Sequence, residues 1–353
     1  MKHLLVMRLS AFGDVAMSVP VVREFLEQNP EVHITFVSVA ITDDLPPTQF
    51  IFVESLERVE FFPAYLREQH KGLKGLCCLY RQVMRQGPYD AVLDLHSVIR
   101  THFLRMLFHL QRIPVYKIHK DRRARKALTR REDKVKRMMR PMPERYADVF
   151  RQAGFSLTLS NRLRKTLRPL SAHTLEVLDL PEASQTKPWI GIAPFARYTG
   201  KTYPPQKMFA AVKKIAAQGN CLLLLFGAKG HEQTELERWK ELLPDARVVA
   251  GKLSLSEELD VISHLKVMVS MDSANMHLAS LVGTRAVSVW GATHPFAGFL
   301  GYGQTPCDVV EVEMDCRPCS IFGSKPCFKS TYECMHAIAP ETLVQTVEQA
   351  ADL

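Results

Sequence analysis

The sequence predicts an α/β protein of two domains, each a parallel sheet with helices packed on its faces. Three observations carry this. The chain has 353 residues, and a single core rarely grows past about 250–300. Its 46% hydrophobic and 24% charged residues are the balance of an ordinary globular protein. Short apolar runs alternate with helix-period stretches twice over, on either side of a proline-containing segment at 168–188. That segment is the expected linker between a first domain at 1–167 and a second at 189–353. No apolar run approaches the roughly 18 residues of a membrane span. The first apolar run, His3–Met7, is cut by Arg8 and Asp14, which is not the pattern of a signal peptide. Eight cysteines without an export signal fit reduced thiols in a cytoplasm.

Each element follows from local pattern. Lys2–Leu9 is a continuous apolar run suited to a buried parallel strand. A loop at Ser10–Asp14 precedes a helical stretch to Gln28, where Pro20 should start or kink a turn. His33–Val39 and Val59–Phe62 read as strands. Leu73–Gln86 reads as a helix ended by Gly87-Pro88. Ala91–Leu95 is a strand, Thr101–Leu110 an amphipathic helix, Ile113–Ile118 a strand and Arg145–Ala153 a helix stopped by Gly154. The second half gives strands at Trp189–Ala193, Cys221–Phe226, Arg247–Val249, Val267–Met271 and Ala286–Trp290. Helices are expected between them at Pro205–Gln218, Thr234–Leu243, Ser256–His264 and Ala274–Val282. Ser254 or Ser256 is the expected N-cap of the third. Two such domains would take a ligand in the crevice outside their strand C-termini.

The net charge of +9 is local. Between Lys117 and Arg145 there are 13 Lys or Arg against four acids, so the rest of the chain balances to zero. Such a segment suits phosphates, an anionic membrane face or nucleic acid, or is a solvated charged loop. One aromatic, Tyr116, precedes Tyr146, which leaves no stacking ladder for nucleic acid.

Five stretches can carry chemistry. In Arg8–Val15, Gly13 lets backbone approach a ligand. Asp14 is placed either to take a proton from a hydroxyl or to cap the helix. Pro194–Lys201 follows a strand, and Lys201 with nearby amides suits a diphosphate or is a solvated loop lysine. In Val269–His277 a strand runs into a helix whose first amides form a natural diphosphate site. Asp272 or Ser273 is equally an N-cap, and His277 lies one turn in. Trp290–Pro295 is a further glycine turn. Finally, Cys316, Cys319, Cys327 and Cys334 either hold a structural zinc ion or are buried thiols. No G-x-G-x-x-G follows a strand, and neither H-E-x-x-H nor G-x-S-x-G occurs.

Taken in order, five segments resemble the family 9 glycosyltransferases, the bacterial heptosyltransferases of lipopolysaccharide core assembly. They are RLSAFGDVAMSVPVVREF, PYDAVLDLHSVIRTHFLRML, IGIAPFARYTGKTYPPQKMFAAV, MDSANMHLASLVGTRAVSVWGATHP and CRPCSIFGSKPCFKSTYECMHAIAPETL. The resemblance implies a GT-B fold, two Rossmann-like domains facing a central cleft. It also implies an inverting, metal-independent transfer from a nucleotide-diphospho-sugar, with ADP-heptose the usual donor. Asp14 matches the family's general base and Lys201 its phosphate-contacting lysine. Asp272, Ser273 and Ala274 match its D-[ST]-G turn, and His277 its histidine. Ala274 stands where the family usually has glycine, and Tyr203 where it usually has tryptophan. On this reading the donor also meets Thr199, Gly227, Gly251 and Leu253. An anionic lipopolysaccharide-core acceptor meets Ser10, Gly13, Arg100, Arg122 and Arg123, with the basic segment near the inner face of the membrane. No cofactor is required. The alternatives are a sugar-nucleotide 2-epimerase, a non-catalytic nucleotide-sugar binder and, last, a nucleic-acid-binding protein.

Overall fold

The structure is a computed structural model, described here for residues 2–39, 58–180 and 187–353. The chain falls into two compact units. The first comprises the residues up to Lys120 together with Arg140–Asn161, and the second Asp121–Met139 with Arg162–Leu353.

The first unit holds strands β1 (Lys2–Met7), β2 (Val32–Val39), β3 (Val59–Ala64), β4 (Ala91–Asp94) and β5 (Val115–Lys117). They form a parallel sheet in the order β3-β2-β1-β4-β5. Continuous apolar runs, not alternation, mark these strands because helices cover both faces. Helix α1 (Phe12–Gln28) runs through Pro20 and buries Val15, Val19, Val22 and Phe25. Phe25 meets Phe150 of a later helix with ring centroids 4.3 Å apart. Helices α2 (Gly72–Met84) and α3 (Ile99–Leu110) bury Leu76, Leu79, Val83, Leu104 and Phe108 in one cluster with Leu5, Met7 and Val92. Each such side chain contributes about 1.5–3 kcal/mol of transfer free energy.

The basic segment does not stay with the first unit. It forms helix α4 (Arg122–Thr129), capped by the Asp121 carboxylate. It then docks on the C-terminal tail. Lys134 Nζ donates to Cys316 O (2.6 Å) and Pro318 O (2.9 Å). Arg131 lies over the Phe328 ring at 4.6 Å and Arg125 over Phe322 at 5.4 Å. Carbonyls and ring faces thus hold these three cations, while Arg122, Arg123, Lys126, Arg130 and Arg137 of the same segment are exposed. Helix α5 (Met142–Gln152) then returns the chain to the first unit.

The expected linker also differs. Residues 162–180 belong to the second unit, and 181–186 lie outside the described residues. Arg168 is buried and pairs with Asp260 at 2.5 Å, ahead of a short helix α6 (Ala172–Val177).

The second unit has strands β6 (Trp189–Ala193), β7 (Leu222–Leu225), β8 (Arg247–Val248), β9 (Leu265–Met271), β10 (Arg285–Val289) and β11 (Val309–Val310). The sheet is parallel, in the order β11-β10-β9-β6-β7-β8. Its helices are α7 (Pro205–Ala217), α8 (His231–Leu242), α9 (Leu255–His264), α10 (Ala274–Leu281), α11 (Glu333–His336) and α12 (Pro340–Ala351). Ser254 caps α9 in a full capping box with Glu257. Helix α12 lies on α7 and buries Leu343, Val344 and Val347.

Candidate active site

In the first unit, Ser10 lies in the link from β1 to α1, whereas Gly13 and Asp14 fall in the first turn of α1, which begins at Phe12 rather than after the expected loop at Ser10–Asp14. Arg8 is buried, donates to Leu95 O at 2.9 Å and pairs with Asp14 Oδ2 at 2.5 Å. The same oxygen accepts the Ala11 amide at 3.3 Å. Asp14 therefore does close the helix start, as the capping reading expects, yet both contacts use Oδ2 and its side chain is 22% exposed. Burial opposes the charge on Arg8, but Tyr146, Asp14 and Asp94 hold its pKa above the usual arginine value.

The neighbouring strand end adds a group that pattern reading passes over. Asp94, fully buried at the end of β4, accepts the His96 and Ser97 amides at 2.9 and 2.8 Å and pairs with Arg105 at 3.4 Å. His96 follows it. Burial first, then Arg8 and Lys120, push its pKa down to about 3. Its Nδ1 is buried without a hydrogen-bond partner among the described residues. A neutral imidazole thus lies within the field of Arg8, Asp14 and Arg100. Of the other expected acceptor residues, Arg100 opens α3, whereas Arg122 and Arg123 lie on α4 in the second unit.

In the second unit, the expected donor residues follow the C-terminal ends of β6, β7, β8 and β9. Thr199–Lys201 forms a 3₁₀ turn after β6. Lys201 Nζ pairs with Asp272 Oδ2 at 2.9 Å, with side chains 16% and 7% exposed. Asp272 is therefore committed to the lysine. Ser273 is the extended N-cap of α10 but makes no side-chain cap bond; its hydroxyl lies 3.1 Å from Ser270 Oγ. The amides that begin α10 consequently have no side-chain cap, which is the arrangement that favours an anion. Ala274 opens the helix, and His277 is buried one turn on. Gly251, at φ +69°, lies against Gln233 at the start of α8, and Gly227 against Glu232 and Leu236. Leu253 is half-buried just before α9.

A family model for glycosyltransferase family 9 (heptosyltransferase) matches residues 79–320. This chain belongs to that family. It is 28% identical to lipopolysaccharide heptosyltransferase 3 of Escherichia coli over 120 residues, 33% of this chain and 34% of that protein. The first curated relatives are each matched over about a third of their own length. Among solved structures, the family 9 glycosyl transferase from Veillonella parvula DSM 2008 superposes with a TM-score of 0.73 at 17% identity, covering 99% of this chain and 97% of that one. E. coli heptosyltransferase WaaC with ADP gives 0.65 at 18%, covering 99% and 100%. These likenesses show the GT-B fold, and the resemblance to family 9 holds. Neither the epimerase nor the nucleic-acid alternative is favoured by them. The matched family region takes in Lys201 and Asp272–His277 but not the Asp14 loop.

Other residues around these loops were not legible as site residues. Gly323 has φ +75°, and a Cβ there would lie 2.5 Å from Lys201 Cδ and Cγ, so the tail glycine shapes the path of the lysine. Arg317, also in the tail, is 1% exposed. It donates to Gly291 O at 2.5 Å and Thr293 O at 3.1 Å, and meets Glu311 at 2.7 Å, fixing the turn after β10. Thr293 Oγ1 is buried without a hydrogen-bond partner among the described residues. Glu258, in the first turn of α9, is half-buried, and burial of its carboxyl pushes it up to about 8. A carboxyl perturbed this way is a functional-site candidate. Tyr203 is fully buried and donates to Ile338 O at 2.9 Å, which makes it a packing residue.

The four tail cysteines are free thiols that line a cavity of about 10 Å³. Among the described residues no three His, Cys, Asp or Glu side chains are grouped as ligands of a metal ion. Burial pushes Cys334 up to about 11. Burial also opposes ionisation of Cys327, yet the amides of Tyr332, Lys329, Thr331 and Ser330 hold its thiol below the ordinary value.

Proposed function

We propose that this chain transfers a heptose from ADP-heptose to a lipopolysaccharide inner-core acceptor, with inversion at the anomeric carbon. The observation that carries the reading is the Lys201–Asp272 pair at 2.9 Å beside the α10 start, whose N-cap makes no side-chain bond. Family membership supports the transfer chemistry, and the structure described as WaaC with ADP supports the base of the donor.

On this reading the diphosphate lies on the first amides of α10 with Lys201 as its cation, and Gly227 and Gly251–Leu253 border the nucleotide. As the acceptor oxygen attacks the anomeric carbon, the bond from that carbon to the diphosphate breaks and its electron pair leaves on the nucleoside diphosphate. Lys201 and the helix dipole meet that charge without reorganising, where electrostatic stabilisation is most effective. The acceptor's proton passes to Asp14. Oδ2 is held by Arg8 and Ala11, so Oδ1 is the receiving oxygen. Arg100 and Ser10 bind acceptor anions and hydroxyls. With the leaving-group charge met in this way, no divalent cation is needed.

A thermal-shift series of nucleotide-sugars tests the donor assignment. ADP-heptose should raise the melting temperature by mass action, with UDP- and GDP-sugars inert at equal concentration. A shift with UDP-sugars and none with ADP-heptose would reject it.

A further inference from the structure

We propose that the paired helices α2 and α3 of the first unit form a docking face for an anionic lipid bilayer. At about 100° per residue, Ile99, Phe103, Met106 and Leu110 of α3 fall within about 60° of one another, and Thr101, Leu104 and Phe108 face the opposite way. The second set is buried in the core. Of the first set Ile99, Met106 and Leu110 point outward, 87%, 52% and 70% exposed, while Phe103 is half-buried against the core. The outward pole of a surface helix is ordinarily charged; here it is an apolar stripe. Helix α2 packs alongside, on the same core. Its outward residues are Lys74, Arg81 and, at its end, Arg85, all exposed. One helix therefore presents an apolar ridge and its neighbour a cationic one.

Charge decides the occupant. The sequence has no Asp or Glu from Gln69 to Tyr89 or from Leu95 to Lys120, against nine Lys and Arg. A two-fold contact between copies of this chain through the face would set these cations against one another. Lipid phosphates would neutralise them while the α3 ridge enters the headgroup–acyl boundary, the binding mode of an interfacial amphipathic helix. The proposed face is not the basic segment, whose cations are partly committed to the tail. The inference does not require the transferase reading, since no donor or acceptor enters its test.

The test is co-sedimentation of the full chain with phosphatidylcholine vesicles, with and without one-third phosphatidylglycerol. Binding is expected to the anionic vesicles only and to fall steeply with added salt. Met106→Glu with Leu110→Glu, and separately Lys74→Glu with Arg81→Glu, should each weaken it at least tenfold. Leu242→Glu, at an exposed apolar position of the second unit, should not. If the first pair unfolds, Ile99→Ser with Leu110→Ser probes the same ridge. No binding to anionic vesicles, or undiminished binding in the folded ridge variant, would overturn the proposal. So would light scattering that shows a dimer converted to monomer by the ridge substitutions, which would make the face a self-interface.

Discussion

Substituting Lys201 by Met separates positioning from charge at the donor site. The substitution keeps most of the aliphatic stem and removes the ammonium, leaving the Asp272 carboxylate, 7% exposed, without its cation. Breaking a buried pair from one side costs about 3–5 kcal/mol. Lys201 retains some exposure, so about 3 kcal/mol is the appropriate end of that range. In a unit of this size each kcal/mol lowers the melting temperature by about 2–4 °C, which makes about 6–12 °C. Lys201→Met with Asp272→Asn removes both charges and should recover all but about 1 kcal/mol, so the two sites couple strongly in a double-mutant cycle. Scanning calorimetry and urea titration of the four proteins read this. A single variant within 1 kcal/mol of the parent, or a double variant no better than the single, would refute the view that Asp272 and Lys201 hold one another. Saturating donor should also stabilise the single variant less than the parent.

Three further outcomes follow from the same geometry. Gly323→Ala should weaken donor binding about tenfold and lower the melting temperature by a few degrees, since the new methyl meets Lys201 at a positive φ; isothermal titration and calorimetry read the two effects. Glu258 has a folded pKa of about 8, above the 4.5 of an ordinary glutamate. The native state therefore binds the extra proton between those values, and stability falls as pH rises through that window; Glu258→Gln should be more stable than the parent above pH 8 and nearly equal to it at pH 5. His96, at about 3 against 6.5, has the opposite sense. Its contribution is intact above pH 6.5 and is lost as pH falls toward 3, so urea midpoints over pH 6.5–4 should drop less in His96→Gln than in the parent.

Much of this was legible in the sequence for a physical reason. Parallel strands covered on both faces read as unbroken apolar runs, so β1, β4, β6 and β9 are found within a residue or two of where HLLVM, AVLDL, WIGIA and VMVSM place them. Residues at strand ends inherit that accuracy, which is why Lys201 and Ser273 fall on turns as expected, although Asp14 lies inside the first turn of α1 rather than in the loop before it. What failed depends on contacts that periodicity does not encode. The basic segment reads as a charge run because nothing local reveals that Lys134 would be held by Cys316 and Pro318 carbonyls. Arg168 reads as the start of a linker because its partner, Asp260, is 92 residues away. Gly323 and Arg317 act on Lys201 and on the turn after β10 from a tail whose cysteines drew attention instead. His96 has no motif, and its significance lies in burial beside Arg8. The outward ridge of α3 was read only as the helix's amphipathicity, and exposure shows that apolar residues lie on both poles.

The account rests most heavily on Asp14 as the acceptor's base, and one measurement addresses it: single-turnover heptose transfer from ADP-heptose to heptose-deficient core lipopolysaccharide by the parent and by Asp14→Asn, with donor affinity measured alongside. A loss of about 10²–10⁴ in the rate of the chemical step, with donor affinity unchanged, is the expected result. Parent-like transfer by the folded Asp14→Asn protein would contradict the account.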